Sequence, residues 1–582
     1  MENFDKKLVQ YGILAKNGKQ DIKDNKITIF DAEIKEINFQ TLQEAGIKEI
    51  CIFESEIKYL YFLEKNTIKI DFRNCNFKNH IIARELYFKN EVIFQQCIFD
   101  AVVDFSKAEF NSKIDFSLSV FKGEVRFIET QFSAEQSDNE TIENDFREVI
   151  FEGKASFSNA TFKARVCFAL SQFKSKANFT NTKFQANQND SNIIEKQDDN
   201  ETIENDFREV IFEGKASFSN ATFKARVSFG LSQFKDEVRF IGTQFLAKQS
   251  SNREIIENEF KETIFKGKVT FDSLVLQARI SFLLSTFKDE TLFLNINPNN
   301  CIFHNVEFNK INFIHNDDIN VESNVESYVF RNAVFKDALS FKGMEFERLE
   351  FDNVLFNGVV TFSNTKLNTK PQFINCTFSN QFNIEHKYIE YNFNEIKNTQ
   401  EYDKLLNYRD LFRKLKSNRI AHHNLIDASE LRTQELYARE LELKYKEKKS
   451  LKETIERWQL FFYRKLCDHH TDLLLNAKWL LYIVALYVLL LGKMIWVYPV
   501  LIIIFLASIY LCKIKNIWLN LSSITVLIAI VCCPKMIFGF TNLFTEKLNC
   551  WQNLITTVYV VVIGLVLFSL QKTARKNSIV PS

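Results

Sequence analysis

The sequence predicts a long parallel β-coil with four corners per turn, followed by a helical connector and a group of membrane-crossing helices. Three observations carry that reading. Phenylalanine recurs every five or six residues through most of the first 400. After Phe382 the pattern changes to charged helical periodicity, and beyond residue 477 the composition turns apolar.

The repeat is plainest in FEGKASFSNATFKARVCFALSQFKSKANFTNTKF, residues 151–184, with Phe at 151, 157, 162, 168, 173, 179 and 184. The same step runs unbroken from Phe88 to Phe132. It returns at Phe234–Phe245 and at Phe330–Phe378, where Leu367 substitutes once. A helix needs apolar residues three and four apart and a flat strand needs them two apart, so neither fits. A five-residue step fits a short extended piece plus a turn. The Phe and the residue two before it then point inward, and polar residues make the corner. Asn159, Gly123, Gly153, Asn332, Asn353 and Gly358 follow a Phe by two, and these residue types tolerate the positive φ of a tight turn. Stacked corners wind the chain into a right-handed square coil with turns about 4.8 Å apart, and about a dozen turns make a rod of roughly 50–60 Å. Each buried Phe contributes about 1.5–3 kcal/mol, against an ordering cost of about 1–2 kcal/mol per residue. A lone turn is therefore not expected to fold.

This pattern resembles the pentapeptide-repeat proteins, whose units read small-polar-Phe/Leu-polar-x, in a variant alternating five- and six-residue units. The resemblance covers roughly residues 50–382 and implies a right-handed quadrilateral β-helix. The expected organisation is a capping segment at 1–49, the β-helix at 50–383, an amphipathic helical connector at 395–475 and an all-α transmembrane domain at 477–571. A basic tail occupies 572–582. Polar loops are expected near 133–145, 185–206, 246–259 and 314–327. NETIENDFREVIFEGKASFSNATFKARV occurs at 139–166 and again at 200–227, with a drifted third copy near Ile256. The duplication adds turns rather than chemistry, and the loops preceding the copies read as inherited with it, with functional loops on a rigid scaffold as the alternative.

MENFDKKLVQYGILAKNGKQ lacks the apolar run of an export signal, so the front part is expected in the cytosol with its cysteines reduced. Cys51, Cys75, Cys97, Cys301 and Cys376 each precede a repeat Phe by two, where Ala or Val stands elsewhere, and read as small buried hydrophobes. The charge is divided. Residues 1–400 hold 49 Lys and Arg against 59 Asp and Glu, and the remainder 25 against 14, which suggests two parts in different surroundings.

In the rear, Leu405, Tyr408, Leu411, Phe412 and Leu415 fall on one helical side. Asp427-Ala-Ser-Glu430 reads as an N-cap signature and Ser450-Leu-Lys-Glu453 as a capping box, giving three amphipathic helices between about 398 and 470. Four spans follow at about 477–494, 496–512, 516–533 and 552–571, with Trp479, Trp496, Trp518 and Trp551 at their ends. Four crossings place Arg464, Lys465, Lys478, Lys513, Lys515, Lys572, Arg575 and Lys576 on one side, leaving Lys493, Lys535 and Lys547 on the other. Both termini and the β-helix are then cytoplasmic, at a bacterial inner membrane. This rear arrangement also resembles the multipass tails of some bacterial pentapeptide-repeat membrane proteins.

The chemistry is sparse. Cys467-Asp468-His469-His470-Thr471-Asp472 is the one metal-like cluster, but neighbouring histidines on a helix diverge by about 100°. His422-His423 reads as a solvated turn, and Cys532-Cys533 as the apolar close of a span. The spans hold no acidic residue and no internal Lys or Arg, so the marks of an ion path are missing. No catalytic, cofactor-binding or metal residue is assigned, no cofactor is implied, and no enzymatic activity is expected. The expected function is a membrane-anchored, cytoplasm-facing scaffold whose β-helix surface binds a protein partner, with the lipid bilayer as the other partner. Direct nucleic-acid binding is not expected. The alternatives are a DNA-mimicking, topoisomerase-binding protein, which the resemblance implies for an acidic rod, and a channel or transporter component.

Overall fold

A computed structural model describes residues 4–134, 143–186, 205–247, 257–316, 324–491, 499, 502–503, 517–532, 534–537 and 548–574. The chain divides into two compact units, residues 1–385 and 386–582.

The first unit opens with a short helix α1 (Lys6–Val9), an antiparallel hairpin of Lys19–Lys23 with Lys26–Phe30, and α2 (Phe39–Glu44). Parallel pairing begins where Lys26–Phe30 meets Glu49–Phe53, and the unit then winds through about 14 turns of β-solenoid. A turn carries four short strands, for example Asn76–Phe77, Ile81–Ile82, Tyr87–Phe88 and Val92–Gln95. Each pairs in parallel with the strand 22 residues on: Phe77 with Phe99, Ile81 with Val103, Phe88 with Phe110, Val92 with Ile114. Two five-residue and two six-residue steps sum to that period, which is why the Phe spacing alternates. Where the offset grows, an insertion has been accommodated. Val125 pairs with Ala155, Ala177 with Ala216 and Val238 with Val269. The expected loops at 133–145, 185–206, 246–259 and 314–327 fall mostly outside the described residues.

The interior is filled with phenylalanine columns. Phe77, Phe99, Phe121, Phe151, Phe173 and Phe212 stack face to face with centroids 4.5–5.3 Å apart. Phe105, Phe127, Phe157, Phe179 and Phe218 form a second column at 4.9–5.5 Å. Rings of neighbouring columns meet edge to face, as Phe146 meets Phe157 at 5.6 Å and 88°. Both arrangements suit the aromatic quadrupole.

The position two before a Phe is more than a small apolar filler. Ser119 Oγ donates to the carbonyl of Phe94 at 2.6 Å, Thr130 Oγ1 to Phe105 at 2.8 Å and Thr182 Oγ1 to Phe157 at 2.7 Å. The thiols of Cys97 and Cys376 do the same toward Phe72 and Phe351 at 3.3 and 3.2 Å. The cysteines expected as small buried residues are buried thiols outside any disulfide, and these two also serve as weak donors to an inward carbonyl. Thr182→Val is expected to remove about 1 kcal/mol of stability, measured by urea unfolding, because the Phe157 carbonyl loses a buried donor at constant shape.

The corner glycines correct the sequence reading. Asn159, Asn332 and Asn353 adopt positive φ as expected, but Gly123, Gly153 and Gly358 do not. They are glycine because successive turns touch there. A Cβ on Gly153 would overlap the Gly123 carbonyl, and one on Gly123 would overlap that of Ala101.

The second unit holds α3 (Phe393–Asn398), α4 (Tyr402–Ala421), α5 (Leu425–Tyr445) and α6 (Leu451–Cys467). Leu405, Leu411, Phe412 and Leu415 of the expected stripe are buried, and Tyr408 is half-buried. Arg409–Glu442 and Lys416–Glu435 pairs, each 2.6 Å, join α4 to α5. The expected N-cap at Asp427 is corrected: Asn424 caps α5, its side chain accepting from the Asp427 N–H, so Asp427 lies in the first turn. An asparagine two residues after His422 was the overlooked signal. The Ser450–Glu453 capping box is present at the start of α6.

Among the described residues there follow α7 (Leu473–Leu491), α8 (Ile517–Cys532), α9 (Pro534–Ile537) and α10 (Cys550–Ala574). Two of them, α7 and α10, are long and apolar enough to cross a membrane, and α8 is shorter. These two helices overlap the stretches 477–494 and 552–571. The expected span at 496–512 lies outside the described residues except for 499, 502 and 503. α7 and α10 pack through Tyr487 and Tyr559, centroids 3.8 Å apart, and Asn476 Nδ2 donates to Ser569 Oγ at 2.9 Å.

The turn between α6 and α7 runs through three successive left-handed residues, Asp468, His469 and His470. It buries the His469 imidazole, which lowers its pKa to about 3, with Arg464 and His470 adding repulsion. An unfolded histidine titrates near 6.5, so the unfolded chain takes up a proton that the folded one refuses. The resulting stability is present above about 6.5 and is lost as pH falls toward 3. Thermal unfolding of the helical signal in detergent is expected to fall between pH 7 and pH 5, with a shallower slope in His469→Gln.

Candidate interaction surface

The outside of the solenoid is set by its corners. Many corners end on a residue with positive φ, and along one edge these residues are Leu118, Glu148, Leu170, Glu209, Leu231, Glu262 and Leu284. They are axial neighbours. The Leu118 N–H donates to Arg147 beside Glu148, the Glu148 N–H to Ala169 beside Leu170, and the Leu170 N–H to Arg208 beside Glu209. The alternation places a leucine every second turn, about 10 Å apart at the strand spacing.

Two features separate this edge from an ordinary turn. The four leucines are 38–51% exposed, so burial does not explain them. Left-handed backbone also costs an L-residue roughly 1–2 kcal/mol, a penalty that asparagine reduces by local hydrogen bonding. The same edge uses Asn305, Asn332, Asn353 and Asn375 in later turns, where no leucine is needed. A second column of positive φ, Lys107, Glu129, Asn159, Asn181 and Asn220, is polar throughout. Leucine is therefore confined to one edge of the middle turns.

The strands leading into this edge carry an acidic row. Asp145 and Asp206 have side chains only 2% and 4% exposed and pair with Arg147 and Arg208 two residues on. Inward on the same strands, Asn144, Asn205 and Asn258 are fully buried. The first two donate to the Arg165 and Arg226 carbonyls at 3.3 and 3.5 Å. These asparagines stand where the chain re-enters the coil after each insertion. The insertions leave after Phe132, Phe184 and Phe245, which share one strand stack. Loop roots and leucine edge thus flank the same strands. Sequence reasoning missed the edge, although its signal is present as Leu-Ser-x-Phe at 118–121, 170–173, 231–234 and 284–287.

The metal-like cluster is dispersed by the left-handed turn. The His469 ring packs 5.6 Å from Tyr437, whereas His470 Nδ1 faces Cys467 Sγ at 3.5 Å and Thr573 Oγ1 at 3.4 Å. Asp468 accepts from the Tyr437 hydroxyl at 2.5 Å. No group of three metal-ligating side chains occurs among the described residues. His422 and His423 are exposed in the α4–α5 turn. Cys532 is exposed, and Cys533 lies outside the described residues.

Residues 204–246 match the family model for pentapeptide repeats (9 copies). No curated protein and no solved structure matches the chain. Matched segment and strand stacking agree: the chain carries a β-solenoid of stacked repeats, and the part of it at 204–246 is similar to pentapeptide repeats.

Proposed function

We propose that the solenoid is a non-catalytic scaffold that binds a protein partner along its leucine edge, wound as a right-handed quadrilateral coil and held at a membrane by the helical unit. The observation that carries this reading is a column of exposed leucines kept in left-handed backbone, where asparagine serves elsewhere on the same edge. Exposed apolar side chains held at a folding cost have a use outside the fold. Their alternation with Glu148, Glu209 and Glu262 favours a partner strip that is apolar with interspersed cations. The membrane part rests on α7 and α10, and in this reading the helical unit crosses the bilayer several times with the solenoid on the cytoplasmic side.

The test is Leu170→Asn with Leu231→Asn in the full chain. Solenoid stability is expected to stay level or rise by about 1 kcal/mol per site, while cross-linking to the partner in the native membrane is lost. Retained cross-linking in a folded variant would count against the leucine edge.

A further inference from the structure

Among the described residues, the face of α6 away from α5 carries exposed apolar side chains. Leu451, Ile455, Trp458 and Phe462, at helical spacing, are 79%, 59%, 62% and 41% exposed. The opposite face is tied to α5 by Glu456–Arg439 and Arg464–Glu440 pairs. An apolar stripe of that size on a helix that leads directly into α7 matches a helix lying in a membrane interface.

Beside it the structure holds a cavity of about 460 Å³ between α3, α5 and α6, lined by Lys397, Lys444, Arg457, Arg464 and Lys465 with the single acid Glu440. Glu440 is occupied by Arg464. The other four cations have no carboxylate partner among the described residues. Phe461 and Lys465 also line a second cavity of about 480 Å³, continued by Phe462, Trp479, Ile483 and Val566 and bounded by apolar surface. The cationic cavity and the apolar slot beside the candidate spans α7 and α10 therefore share Phe461 and Lys465 as a common wall.

We propose that this junction binds an anionic phospholipid, its phosphate among Lys397, Lys444, Arg457 and Lys465 and an acyl chain against Trp479 and Ile483, with α6 lying in the plane of the headgroups. The proposal rests on the membrane reading of α7 and α10. Charge complementarity and continuity with those helices select a bilayer lipid over a second copy of the chain, which would bring the same cations together.

The experiment uses the full chain in nanodiscs of phosphatidylcholine with phosphatidylglycerol, with and without bromine on the acyl chains near the headgroup. The emission removed by Trp458→Phe is expected to be quenched by bromine. Native mass spectrometry in detergent is expected to show phosphatidylglycerol retained over phosphatidylcholine, the preference falling about fivefold for each cation removed in Lys465→Gln and Lys397→Gln. If the Trp458 emission is unquenched while the other tryptophans are quenched, the proposal fails and the spans stand. An unchanged preference in both charge variants overturns the headgroup site. Quenching of no tryptophan overturns the membrane reading and this proposal together.

Discussion

Phe157→Ala is expected to lower solenoid stability by about 3–5 kcal/mol. The ring is fully buried and sits between Phe127 and Phe179 at 5.1 and 5.0 Å, with Phe146 and Phe168 edge-on at 5.6 and 5.3 Å. Parallel strands hold the neighbouring turns at fixed spacing, so the cavity cannot collapse. Repeat proteins couple mainly to adjacent repeats, so the loss should also divide the solenoid into two weaker segments. Urea unfolding followed by the β signal in circular dichroism measures it. Leu170→Ala, at an exposed corner, is the control expected to change little. A loss below about 1 kcal/mol at Phe157 would contradict the stacked interior.

The second large effect belongs to the helical unit. Glu440→Ala is expected to cost about 3–5 kcal/mol. Its carboxylate takes two bonds from the Arg464 guanidinium, at 2.7 and 2.9 Å, with side chains only 8% and 15% exposed. The guanidinium also lies 3.8 Å from the Phe393 ring centroid, so it cannot turn to solvent without losing that contact. Truncating the acid leaves the little-exposed guanidinium without its carboxylate, beside other uncompensated cations. Glu440→Gln, which keeps an acceptor, should lose less, and replacing both partners with leucine should come closest to wild type. The measurement is the thermal midpoint of the helical circular dichroism signal in detergent. Equal midpoints for Glu440→Ala and wild type would show that the pair is solvated.

Much of the solenoid could be read in advance because one physical rule is repeated many times. Each Phe column exists only if the spacing holds, so Phe88 through Phe132 announced both the period and the inward direction. Gly153 was misread for a specific reason. Sequence shows that a corner needs a residue without a side chain, but not whether backbone angle or contact with the next turn imposes it. The leucine edge was overlooked for the opposite reason: a turn rule that admits only glycine and asparagine hides residues that break it, and Leu170 breaks it. In the rear, Ser450–Glu453 was legible as a local cap, whereas Asn424 was passed over for the more acidic Asp427. The cationic cavity gathers Lys397, Lys444, Arg457 and Lys465 from three helices, and no local window could have assembled it.

The copied segment has a consequence for how this chain changes over generations. Ala155 and Ala216 are equivalent positions in the two copies, and they stand two turns apart through Ala177. Unequal exchange between the copies would therefore delete or add whole turns, and the new junction would meet the same partners as the old one. The protein carries a built-in length adjustment, and related sequences are expected to differ in height by pairs of turns while both ends stay unaltered.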